Sequence, residues 1–211
     1  MSTAEALSLI QWLSPAFPTG GFAYSHGLEQ AMAGGAVTDA AQAAAWVGDI
    51  LAHGSGWNDA VLLACGLRGD DLGALSEHAL ALSGSSERWI ETRDQGRAFA
   101  ATVSAITGRD LPPRPLPVAL AEAARPLNLP PAQVIGHYLH GFAANLIGAA
   151  TRFLPLGQAQ AQAALAGLHP LIAELAARAA DSGLDDPHSS TFAAELAAMQ
   201  HETLQPRIFL T

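Results

Sequence analysis

The sequence predicts an all-α protein, a single-domain bundle of about eight to ten helices around a central buried helix. Three observations carry this expectation. Alanine is the commonest residue and β-branched residues are sparse, which favours helix over strand. Apolar residues recur at helical spacing in one segment after another, and no stretch sustains the alternation of a strand. Of the 211 residues, 50% are hydrophobic and 14% charged, which provides a core without disulfide or metal staples.

The helices can be taken in order. Ser2 and Glu5 have the spacing of a capping box, and Leu7, Ile10 and Leu13 continue the helix it opens. The segment Ser14-Pro15-Ala16-Phe17-Pro18-Thr19-Gly20-Gly21 breaks it, because two prolines and a glycine pair cannot continue a helix. Helix resumes near Tyr24 and runs through Leu28 and Met32 to Gly34-Gly35. Asp39 caps another helix, with Trp46, Ile50 and Leu51 as its apolar stripe. Gly54-Ser55-Gly56 interrupts before a helix over 59–67, and 70–82 is a further short one. Ser83 to Ser86 form a linker whose last serines can cap a charged helix over 87–107, where Asp94 and Arg97 pair at i,i+3. The proline-rich stretch 111–117 reads as an extended connector within one domain.

From Pro131 to Phe153 the chain is apolar on nearly every face, so this helix is expected at the centre of the bundle. Gly141 would sit tightly packed there. Residues 155–182 read as one long helix kinked at Pro170, and 189–202 as the last helix. The tail 203–211 is apolar, and Pro206 stops the preceding helix from absorbing it.

Composition excludes several classes of function. The net charge is −9, and all ten basic residues are arginine, which disfavours nucleic acid as a partner. The lone Cys65 excludes a disulfide framework and a cysteine-rich zinc site, and it reads as a core residue. The apolar stretch 139–150 contains His140 and Asn145 and is too short for a membrane span; the first ten residues lack a basic leader, so a cytoplasmic protein is expected. No phosphate-binding loop is present.

Catalytic and metal chemistry are weakly signalled. His137 and His140 stand at i,i+3 and could present two imidazoles to one ion, as in a nickel carrier. No carboxylate or cysteine joins them, so two hydrogen-bonded histidines are expected and no resident metal or cofactor. Ala23-Tyr24-Ser25-His26-Gly27 approaches a nucleophile elbow but lacks its first glycine and the preceding strand. Ser25 is therefore expected to cap a helix; the rival is a helical serine hydrolase using Ser25 and His26. Arg88, Arg93 and Arg97 form a modest basic face mixed with Glu87, Glu91 and Asp94, expected to be solvated or to dock a partner. Apolar Ile208, Phe209 and Leu210 must dock on their own domain or on another protein, as must Trp12, Phe17 and Phe22.

The segment Leu13-Ser14-Pro15-Ala16-Phe17-Pro18-Thr19-Gly20-Gly21-Phe22-Ala23-Tyr24-Ser25-His26-Gly27-Leu28-Glu29 resembles the N-terminal signature of the urease accessory protein UreF family. Met199-Gln200-His201-Glu202-Thr203 followed by Arg207-Ile208-Phe209 is similar to that family's ending. Glu91-Thr92-Arg93 with Gly96-Arg97, and Phe153-Leu154-Pro155-Leu156-Gly157-Gln158, resemble its middle signatures. One departure is Gln205-Pro206, where the family usually has Tyr-Ser before the arginine.

The resemblance implies a non-enzymatic, all-helical, dimeric chaperone of nickel urease maturation. Such a protein binds UreD (also called UreH) and recruits the GTPase UreG. The assembly docks on apo-urease, whose active-site lysine is carbamylated and loaded with nickel. On this reading Phe17, Phe22, Tyr24, His201, Glu202, Arg207, Ile208, Phe209 and Leu210 are expected to contact UreD/UreH, with 203–211 as a mobile or loosely docked tail. Glu29, Arg93, Arg97, His137, Tyr138 and His140 are expected on the face that meets UreG or a second copy.

Overall fold

Local capping sets the first helix boundaries. Ser2 and Glu5 form the expected reciprocal box, with Oγ accepting from Glu5 N at 3.2 Å and the carboxylate accepting from Ser2 N at 2.8 Å. Asp39, Asp71 and Ser85 each accept a hydrogen bond from a first-turn amide of the helix that follows. The computed structural model describes residues 2–210, so Met1 and Thr211 lie outside the described residues. Among these are eleven α-helices, one short 3-10 turn and no strand.

The helices are α1 (Thr3–Trp12), α2 (Leu28–Ala33), α3 (Ala40–His53), α4 (Ser55–Arg68), α5 (Leu72–Ala81), α6 (Ser86–Thr107), α7 (Leu116–Ala124), α8 (Pro131–Phe153), α9 (Gln158–Gly167), α10 (His169–Asp181) and α11 (Phe192–His201). The 3-10 turn spans Gly21–Ala23 in the loop between α1 and α2. They form one domain.

Two differences from the expected boundaries raise the helix number. The stretch 155–182 is two helices, because Leu168 leaves the first and Pro170, which has no N–H to donate, sits in the first turn of the second. The proline-rich connector turns into α7 at Leu116. Pro117 falls within the first helical turn, where a missing amide costs nothing.

The core has two centres. α8 runs through the bundle as expected, against α2, α3, α4, α9 and α10. It buries Val134, Ile135, Tyr138, Leu139, Ala143, Leu146, Ile147, Ala149 and Ala150. More deeply covered is α4, buried at every position from Gly56 to Gly66. Its Asn58 and Asp59 look like surface residues in the sequence, and they are buried because His188 in the loop before α11 reaches Asn58 and Arg88 and Tyr138 of α6 and α8 reach Asp59. α7 lies against α4 and α6. Arg109 donates to the Ala123 and Glu122 carbonyls at its end, each at 2.8 Å.

One corner is held by the absence of a side chain. At Gly96 of α6 a Cβ would lie 1.9 Å from the Arg114 carbonyl oxygen and 2.6 Å from Leu116 N, both backbone atoms. Gly141 is different. A Cβ there would meet only the Leu13 carbonyl oxygen at 3.7 Å, because the residue borders a cavity, and the expected overpacking is absent. Gly148 faces nothing within 4 Å.

These contacts predict opposite outcomes for the same change at two helical glycines. Gly96→Ala should destabilise the fold by about 3 kcal/mol or more, because backbone cannot yield as a side chain can. Gly148→Ala should stabilise it by about 0.5–1 kcal/mol through helix propensity. Urea denaturation of both variants measures the contrast.

Candidate partner-docking surface

The loop between α1 and α2 is anchored by aromatic packing. Phe17 is buried against Phe99, with ring centroids 5.7 Å apart, and Trp12 meets the same ring edge-on. At the other end of the loop, Gly27 has φ +75°, and a Cβ there would lie 2.6 Å from Ala198 N of α11. The 3-10 turn between these anchors carries Phe22 outward, 69% exposed.

The C-terminal tail returns to this loop. The Leu210 amide donates to the Ala23 carbonyl at 2.7 Å. Arg152 of α8 ties the two segments: its guanidinium stacks 4.5 Å above the Phe209 ring and donates to the Phe22 carbonyl. Phe209 is buried, whereas Ile208 and Leu210 are 66% and 57% exposed. Phe22, Ile208 and Leu210 are thus exposed apolar side chains on two segments joined through Ala23, Phe209 and Arg152.

Beneath the tail lies a buried ionic clasp. Glu29 of α2 accepts the Ile208 and Phe209 amides at 2.7 and 3.0 Å. The same carboxylate faces His201 Nε2 at 3.0 Å, and His201 Nδ1 faces Glu87 at 2.8 Å. Both ring nitrogens of His201 are thus engaged by buried carboxyl groups from two different helices. Arg207 reaches the other Glu87 oxygen at 2.8 Å. Glu87 thereby holds both His201 and the tail's Arg207. The tail is therefore pinned, in contrast to the mobile or loosely docked tail expected from sequence.

A second polar chain crosses the interior. Ser55 Oγ lies 2.6 Å from His26 Nε2, and His26 Nδ1 lies 3.1 Å from Glu91. Arg88 approaches Glu91 at 3.7 Å and Asp59 at 2.5 Å, and Tyr138 donates to Asp59 at 2.6 Å. Burial works against the Arg88 charge, but Asp59 and Glu91 outweigh it and raise its pKa. Burial followed by Asp59 pushes the Tyr138 phenol well above its usual range, so it remains a donor. Burial also opposes the Glu91 charge, yet His26 and Arg88 prevail and hold its carboxyl below the usual value of 4.5.

The Ser55–His26–Glu91 order is that of a nucleophile, base and orienting carboxylate. The space in front of Ser55, bordered by Thr191, Ala194 and Glu195, is only about 30 Å³. That admits a single water but no acyl substrate. Ser25 is fully buried and accepts the Glu29 amide at 3.2 Å, as a helix-capping hydroxyl does.

The remaining expected site residues separate. Phe17, Tyr24, Phe209 and His201 are buried and support the surface from below. Glu202 is exposed and caps α6, accepting from Ser86 Oγ at 2.6 Å. Of the second group, Glu29 lies under the tail and Tyr138 is buried against Asp59. Arg93 and Arg97 are exposed on α6 and pair with Asp94 at 2.9 and 3.7 Å. His137 and His140 lie along α8 beside α10, where His140 faces His169. Sequence reasoning missed Arg152, Asp59 and the burial of Glu87 and Glu91. An acidic residue in a charged helix gives no sign that a histidine from the far end of the chain will cover it.

The UreF family profile matches residues 37–169. The urease accessory protein UreF of Cereibacter sphaeroides is 61% identical over 209 residues, covering 99% of this chain and all of the relative. That of Paracoccus denitrificans is 52% identical over 207 residues, covering 98% and 96%. That of Dinoroseobacter shibae is 48% identical over 208 residues, covering 99% of each. The chain belongs to the UreF family of urease accessory proteins. Both segments of the surface described above fall outside the profile match. No described helix is long and apolar enough to cross a membrane.

Two outcomes follow for the buried charges of this UreF protein. Glu29→Ala should cost about 3–5 kcal/mol, because it leaves the buried His201 Nε2 and the Ile208 and Phe209 amides without their partner. It should also remove hydrogen-exchange protection from the Ile208 and Phe209 amides. For Glu91, a carboxyl lowered by folding adds stability above its unfolded pKa and loses it as pH falls through the folded one. The stability difference between wild type and Glu91→Gln should therefore be full near neutrality and shrink below about pH 4.5. Denaturant titrations from pH 7 to pH 3 read the difference directly.

Proposed function

We propose that this chain is the scaffold of the urease maturation complex, binding UreD/UreH through the surface formed by the tail and the Pro/Gly loop. A urease maturation role follows from family membership. The observation that supports the finer reading is the joint exposure of Phe22, Ile208 and Leu210 over a base of buried charge pairs. An apolar patch on a rigid base gives a partner contact area without the ordering cost of a loose tail. Arg207, with 41% of its side chain exposed, stands at the edge of that surface.

On this reading the chain acts without catalysis, in the cytoplasm and as a homodimer. The exposed arginines of α6, Arg93 and Arg97, serve the face that meets UreG or the second copy. The complex presents UreG to apo-urease, coupling the GTPase cycle to lysine carbamylation and nickel insertion. Nucleotide chemistry belongs to the GTPase, since the sequence carries no phosphate-binding loop.

Substitution tests this better than truncation, because removal of the tail also removes Phe209 from the core. The double variant Ile208→Ser/Leu210→Ser changes only exposed side chains. It should keep its helical content and melting temperature and lose at least tenfold in affinity for UreD, with urease activation in cells falling in parallel. Unchanged UreD affinity in the folded double variant would overturn the assignment of this surface.

A further inference from the structure

α8 and α10 lie against each other at close range: a Cβ on Gly136 would stand 3.6 Å from the Ala176 Cβ. Further along α8, and at the start of α10, the imidazoles of His140 and His169 face each other. Their centroids are 5.4 Å apart and their planes inclined at 47°. Both residues are exposed. As α8 advances from 136 to 140, its neighbours on α10 retreat from 176 to 169, so the helices run antiparallel and fix the two rings from separate, rigid elements.

A metal–nitrogen bond of about 2.1 Å puts each ring centre about 3.2 Å from a bound ion. At bond angles of roughly 90–110°, two such centres lie about 4.5–5.3 Å apart. The observed separation of 5.4 Å lies just above that range. His137, on the same helix, is engaged with its own backbone, its Nδ1 lying 2.7 Å from the Gln133 carbonyl oxygen.

We propose that His140 and His169 form a two-imidazole chelate for a divalent transition-metal ion at the seam of α8 and α10. No group of three or more His, Cys, Asp and Glu among the described residues is arranged to hold a metal, so water fills the remaining positions and the ion stays exchangeable. Imidazole ligands without carboxylates select copper, nickel and zinc over magnesium and calcium, with copper the tightest. The site is independent of the UreD-binding surface and needs no partner to form. The other facing histidines, His53 and His188, are 6.5 Å apart, and the His188 ring also packs beside Trp57, which makes them an internal comparison.

The test uses the full-length protein, freed of any affinity tag and titrated calorimetrically with Cu²⁺ and with Ni²⁺ at pH 7.5. One ion should bind per chain, Cu²⁺ more tightly, and the electron paramagnetic resonance spectrum of the copper form should show two equatorial nitrogens. His140→Ala and His169→Ala should each weaken binding at least tenfold, the double variant little more than either. Both should keep the metal-free melting temperature, since the side chains are exposed. His53→Ala should change nothing. Binding insensitive to either substitution, or dependent on one histidine alone, would overturn the chelate. So would equal losses on replacing His53.

Discussion

The fold closes on the His201 imidazole. Both of its nitrogens are held by buried carboxylates, Glu29 from α2 and Glu87 from α6, so the last helix is fastened to the second and the sixth. Glu29 spends its remaining acceptor capacity on the Ile208 and Phe209 amides, and Glu87 on Arg207. Each member is needed to make the burial of the others tolerable, because an unpartnered charge in the interior costs several kcal/mol. This mutual dependence fixes where the chain end lies. It also makes the outward presentation of Ile208 and Leu210 a property of the core rather than of the surface.

The second buried chain, from Ser55 through His26, Glu91, Arg88 and Asp59 to Tyr138, has a similar logic at another place. It links α4, α6 and α8 with the loop before α2. Hydrophobic burial alone would tolerate several registers between alanine-rich helices, whose surfaces are shallow. Directional charge pairs admit one register. An Ala-rich bundle of this kind gains uniqueness from a few buried polar contacts, and the close approach at Gly96 restricts it further. Beside this chain the core is not filled: a cavity of about 510 Å³ lies between the Pro/Gly loop, α6 and α8, floored by Gly141 and Gly148. That space explains why a helix apolar on nearly every face still has half-exposed small residues on one side.

For a UreF-family protein the consequence is a division of labour among the residues of its terminal signatures. Phe17, Tyr24, Glu29 and His201 act inward, holding the loop and tail in place. Phe22, Ile208 and Leu210 face outward. Most members of these motifs thus serve as rigid support for a few exposed side chains.

The sequence by itself determined the helical class, the caps at Ser2, Asp39 and Ser85, the breaks at Pro15 and Pro18, the burial of Cys65 and the central place of the 131–153 helix. These are properties of neighbouring residues, set by propensity, capping and periodicity within one or two turns. Family membership was legible for the same reason, in contiguous motifs. Tertiary structure alone decided that Glu87, Glu91 and Asp59 are buried, that the tail is pinned instead of mobile, that Pro117 opens a helix, and that His140 pairs with His169 instead of His137. Each depends on a partner far away in the chain, such as His201 over Glu87 or Tyr138 over Asp59. A charged side chain reads as solvated until the residue that satisfies it is brought within hydrogen-bonding distance.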